Sequence, residues 1–154
     1  MSLVYSVFVP HPPILVQEIG RGEERKCQAT LDAYQEISRR LVQAEIETVI
    51  LVSPHASLIR GGVTLLTEEV VQGNFVQFGA AQLSFSFAGD STVVAQFQKD
   101  LPGVVSIQGT LDHGALVPLY FLQKAGWNGK VVLLGMPLER PEEYGLRVGQ
   151  ILEM

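Results

Sequence analysis

Three apolar runs in this chain of 154 residues stop abruptly, and one of its three histidines stands at each stop. His11 lies in Pro10-His11-Pro12-Pro13, directly after Leu3-Val4-Tyr5-Ser6-Val7-Phe8-Val9. His55 lies in Ser53-Pro54-His55-Ala56, directly after Val49-Ile50-Leu51-Val52. His113 lies in Leu111-Asp112-His113-Gly114, after Val104-Val105-Ser106-Ile107. Short runs rich in β-branched residues read as buried strands, and proline ends a strand ladder because it has no N–H to donate. A fold that uses these signals sends its strands into loops carrying imidazole. In open α/β sheets the loops at the carboxyl ends of strands are where ligands bind.

The rest of the chain supplies the helices such a sheet needs. From Glu23 to Gln43 the apolar positions Leu31, Tyr34, Ile37, Leu41 and Val42 recur every three to four residues, which predicts a helix. Residues 48–53 form a second strand, and Gly61-Gly62 a turn. Residues 63–67 and 74–79 read as extended, with a hairpin expected around Gln72-Gly73-Asn74. Leu83-Ser84-Phe85-Ser86-Phe87 alternates strictly, so one face of that strand is wet or is covered by another subunit. Asp90 or Ser91 can cap a helix running to about Asp100. A short strand follows at 104–107. Gly114–Ala125 then reads as an apolar helix that ends at Gly126 and holds Pro118 in its first turns. Lys130–Gly135 is another buried strand, and Pro141 opens a last helix to Met154. The alternation predicts an α/β fold with a mixed, mostly parallel central sheet flanked by helices. A single domain over residues 1–154 is expected. The final helix stops without a capping glycine or polar tail, which reads as part of a longer domain, although a plain terminal helix would look the same. Met1-Ser2-Leu3 reads equally well as a cloning scar.

Composition narrows the function classes. The net charge is −5 and there is no basic stripe, which argues against nucleic-acid binding. No apolar run approaches the roughly 20 residues of a membrane span, and the opening residues lack the basic region of a secretory signal. One cysteine, Cys27, fits a reducing cytoplasm and a structural role.

Two histidines after parallel strands could converge on one metal ion, their prolines lowering the entropy lost on coordination. Two imidazoles and a carboxylate with open positions are the ligand set of non-haem Fe(II) oxygenases, while zinc and manganese accept similar donors. His113, at the start of a helix, would be kept neutral by the dipole and could exchange a proton with a substrate. Asp112 beside it reads better as the helix cap than as a chemical group. The carboxylate ligand is not identifiable. Glu18 lies soon after the proline turn and Asp90 in a turn, neither in a ligand motif, and Glu23, Glu24, Glu36, Glu45, Glu142 and Glu143 read as solvated helix faces. Gly20-Arg21-Gly22 lacks the rest of a dinucleotide-binding fingerprint, and the lack of a nucleophile elbow argues against a hydrolase.

At Val9-Pro10-His11-Pro12-Pro13, Leu51-Val52-Ser53-Pro54-His55 and Leu111-Asp112-His113-Gly114 with Val117-Pro118-Leu119-Tyr120-Phe121, the chain resembles the LigB-like superfamily. That superfamily contains the catalytic B subunit of class III extradiol ring-cleavage dioxygenases and the Memo-like proteins. The resemblance is greatest to the amino-terminal part of AmmeMemoRadiSam system proteins. It implies His11 and His55 as iron ligands, His113 as a catalytic histidine near the substrate, Fe(II) as cofactor, and O₂-dependent cleavage of a small aromatic diol. It also implies that the carboxylate ligand and a further histidine belong to a second half of the domain, which would make 1–154 the amino-terminal half. A Memo-like accessory role beside an AMMECR1-type or radical-SAM partner is the alternative. A half-domain would expose apolar faces, so a homo-oligomer is expected.

Overall fold

The computed structural model describes residues 3–153; Met1, Ser2 and Met154, the last being the expected end of the final helix, lie outside it. The helices are α1 (Gln17–Gly20), α2 (Gln28–Gln43), α3 (Ser91–Asp100), α4 (His113–Lys124) and α5 (Pro141–Leu152). The strands are β1 (Thr48–Ser53), β2 (Val63–Leu66), β3 (Val70–Phe75), β4 (Ala80–Ala88), β5 (Val104–Ile107) and β6 (Lys130–Gly135). Strand β6 organises the molecule. Its alternate residues serve two cores, because successive side chains leave a strand on opposite faces. Val131 and Leu133 pack with α2, α4 and the β3–β4 hairpin, whereas Val132 and Leu134 pack with α3 and α5. The result is a sheet covered on both sides.

The sheet order is β1-β6-β2-β5, with β1–β6 and β2–β5 parallel and β2–β6 antiparallel. This is the mixed, mostly parallel sheet expected. β3 and β4 form a separate antiparallel pair, and the alternation in β4 is real: Phe85 and Phe87 are buried, and Ser84 and Ser86 are exposed. The middle of helix α4 lies in the core, its residues Ala115 through Leu122 all buried. Removing one such leucine side chain would cost about 2–5 kcal/mol.

Four sequence expectations need correction. Residues 3–9 are not a strand and join no sheet; Leu3, Val4, Tyr5, Val7 and Phe8 are exposed, Phe8 almost completely at 98%. Only Val9 of this run packs on the core, too little burial to offset the entropy of fixing the segment. The helix expected from Glu23 starts at Gln28, after a 3₁₀ turn over Glu23–Cys27. Glu24 in that turn is buried rather than solvated, and its Oε2 accepts the Gly22 N–H at 2.6 Å. The hairpin turn is at Val76–Gly79, not 72–74, and 63–66 belongs to the main sheet. Gly73 is a strand residue for a different reason: a Cβ there would lie 2.8 Å from the Leu111 carbonyl oxygen and 3.0 Å from a Leu116 methyl. The missing side chain lets β3 approach the loop that leads into α4, where the Leu111 N–H donates to the Gln72 carbonyl at 2.7 Å.

Candidate metal centre

The three histidines meet. His11 Nε2 and His55 Nε2 are 3.1 Å apart, with the rings edge-on at 5.1 Å between centroids. The His113 ring lies 3.9 Å from that of His55 and 6.0 Å from that of His11. Each imidazole arrives by a different route.

His55 follows β1 and is held by its own turn. Ser53 Oγ accepts the His55 N–H at 3.2 Å, an arrangement common to serine two residues before a turn position. The same hydroxyl donates to Asp112 Oδ1 at 2.7 Å, tying the end of β1 to the start of α4. His113 is the first residue of α4. Asp112 caps that helix, its Oδ1 accepting the N–H groups of Gly114 (2.7 Å) and Ala115 (3.3 Å), as expected. Gly114 makes room for this junction, since a Cβ there would stand 2.5 Å from Ser53 Oγ and 3.2 Å from the His55 ring.

His11 does not arrive on a strand. Its segment is anchored on both sides. The Tyr34 hydroxyl, on α2, donates to the Pro10 carbonyl, and Leu15 and Val16 are buried in the core. Tyr34 in turn stacks on Phe121 of α4 at 4.2 Å, and burial pushes its phenol pKa up, so the hydroxyl stays protonated as a donor. Sequence reasoning missed both Tyr34 and Ser53. The Ser-Pro-His spacing carried a signal for Ser53, whereas Tyr34 reads only as one member of an apolar stripe.

Glu18 and Asp90, which carry no ligand motif in the sequence, are not at the cluster. Glu18 accepts the Tyr120 hydroxyl at 2.7 Å, and Tyr120 lies seven residues (120 − 113) beyond His113, about 10 Å along the helix. Asp90 caps α3 and accepts the Thr48 hydroxyl at 2.6 Å, at the far end of β1 from Ser53. The carboxylate that does reach the cluster is Asp112. Its Oδ2 is buried and has no hydrogen-bond partner among the described residues. Within the same set, no group of three His, Cys, Asp or Glu side chains is placed to hold a metal ion.

The His11–His55 pair nevertheless suits a divalent cation. Two ring nitrogens 3.1 Å apart, each about 2.1 Å from one ion, would subtend about 95°, the angle between neighbouring octahedral positions. Without an ion, one neutral imidazole can donate its Nε2–H to the other. His113 is suited to a different task. Burial holds its pKa below the usual histidine value, the charges of His55 and His11 add to this, and Asp112 opposes it. A neutral imidazole beside the pair can accept or return a proton. Next to His113, a cavity of about 510 Å³ opens between the hairpin turn and the loop before α4, and the Phe78 ring stands edge-on to His113 at 5.3 Å.

Residues 5–152 match the family described as the catalytic LigB subunit of aromatic ring-opening dioxygenase. The chain is also similar to Protein CA_C1420 of Clostridium acetobutylicum, at 30% identity over 146 residues, covering 86% of this chain and 31% of the relative. It therefore spans about a third of that relative's length. The family match takes in all three histidines and nearly every element described above, and on that ground this chain belongs to the LigB family.

Proposed function

We propose that this chain carries the ligand pair and the proton-handling histidine of a non-haem Fe(II)-dependent extradiol dioxygenase, acting on a small aromatic diol. The observation that carries the reading is the meeting of His11 and His55 at 3.1 Å with His113 beside them. His11 and His55 would hold the metal through Nε2. When bound, iron(II) supplies a Lewis acid and a redox centre at which the diol and O₂ can meet. His113, neutral and partly buried, takes a proton from a diol hydroxyl on a ring nitrogen. Phe78, edge-on to His113, walls one side of the space where an aromatic ring would lie.

Anaerobic Fe(II) titration of the parent, His11→Ala, His55→Ala and His113→Ala proteins tests this. The first two variants should lose affinity by at least about tenfold. The third should keep the metal and lose diol-dependent O₂ uptake by about 10²–10⁴-fold, the usual scale of general acid–base catalysis. Equal metal affinity in all four proteins would remove the proposal.

The absence of a third metal-binding side chain among the described residues favours a second reading. Here the chain is a Memo-like accessory module that works beside an AMMECR1-type or radical-SAM partner. Metal binding without O₂ uptake on any catechol would select it.

A further inference from the structure

The cavity beside His113 has a composition that the dioxygenase reading alone does not require. Its polar wall is made by Asn74, Gln77 and Thr110, and its other side by Phe78, Asp112 and His113. Among the described residues that line it there is no lysine or arginine. The fixed charge it does hold is negative: the Asp112 carboxylate, whose Oδ2 is buried without a partner. The chain as a whole carries −5. His55, a proposed iron ligand, also lines the cavity, but an anionic substituent directed to the polar rim would face the Asp112 carboxylate with no lysine or arginine among the lining residues, which is unfavourable. An uncharged polar substituent meets suitable partners. Asn74 Oδ1 is already used, accepting the Val76 N–H at 3.0 Å, so its NH₂ is the group left to donate. Gln77 and Thr110 are exposed on the same rim and offer both donors and acceptors.

We infer that this cavity selects aromatic diols whose remaining ring substituent is uncharged and polar, with Asn74, Gln77 and Thr110 as the specificity-determining residues. The inference rests on the dioxygenase reading and goes beyond it by stating the substrate's charge. Phe78 and His113 would take the ring, and the substituent would point to the hairpin turn.

A matched pair of probes tests it. 3,4-Dihydroxybenzamide and 3,4-dihydroxybenzoate have nearly the same shape and differ in charge. Binding of each to the Fe(II)-loaded chain would be measured by calorimetry under nitrogen, a readout independent of turnover. The amide should bind at least about tenfold more tightly, the scale of one unfavourable charge contact near a protein surface. Gln77→Lys, at an exposed turn position where folding is not at stake, should tighten benzoate binding by about tenfold and abolish the preference for the amide. Benzoate binding as tightly as the amide to the parent would overturn the inference while leaving the dioxygenase reading intact. Binding of neither probe would remove both.

Discussion

His11 has no strand behind it, so its position depends on single contacts. Tyr34 grips the Pro10 carbonyl from α2, and Leu15 and Val16 anchor the other side. This makes a clean separation of stability from site geometry possible. In Tyr34→Phe the ring can keep its stack on Phe121 at 4.2 Å, so stability should fall by only about 1 kcal/mol, the worth of one hydrogen bond. Fe(II) affinity should fall by about tenfold, as when an outer partner of a metal ligand is removed. Thermal unfolding and anaerobic metal titration of the same protein check this. Undiminished affinity would show that the tether does not position His11. His55 and His113 are legible in the sequence because the apolar run and Pro54 before the one, and the Asp112 cap before the other, lie within a few positions. Tyr34 is not legible, because it acts across 24 positions.

At the level of elements, α3 shows what a local rule can and cannot predict. A cap at Asp90 or Ser91 follows from sequence, and the structure selects Asp90, whose carboxylate accepts the N–H groups of Thr92 and Val93. That the same carboxylate also receives the Thr48 hydroxyl and stands 3.9 Å from Lys130 Nζ is a matter of packing. Burial pushes the Asp90 pKa up, but the Thr48 hydroxyl, the Val93 N–H, the Lys130 charge and the Thr92 N–H together hold it below the usual aspartate value. A folded-state pKa below the unfolded one contributes stability that is complete above the unfolded value, about 3.9, and is lost as the pH falls through the folded value. Asp90→Asn keeps a capping oxygen and removes the titration. Urea midpoints of the parent should therefore fall more steeply than those of Asp90→Asn between about pH 5 and pH 2. Parallel curves would exclude this role. The β3–β4 hairpin was harder to read, because Gly73 looks like a turn residue. Its real constraint is the approach of Leu111 and Leu116, 38 and 43 positions on (111 − 73 and 116 − 73).

Across the whole molecule, the exposed run at Leu3, Val4, Tyr5, Val7 and Phe8 lies on a chain whose outer sheet strand, β1, has no partner on its free edge among the described residues. Val52 on that strand is half exposed. Apolar side chains and an open edge of this kind favour association with another chain. Light scattering should show self-association of the parent, weakened in Phe8→Ser; a monomer at all concentrations would count against it. Sequence by itself determined the strands β1, β5 and β6, the helices α3 and α4, and the placing of His55 and His113 at element ends, because apolar period, proline stops and caps act within a few residues. Tertiary structure alone decided that β2 and β5 run opposite to β6, that Ser53 reaches Asp112 across 59 positions, and that His11 meets His55 across 44. Those outcomes depend on which distant surfaces pack together, and no local pattern encodes that choice.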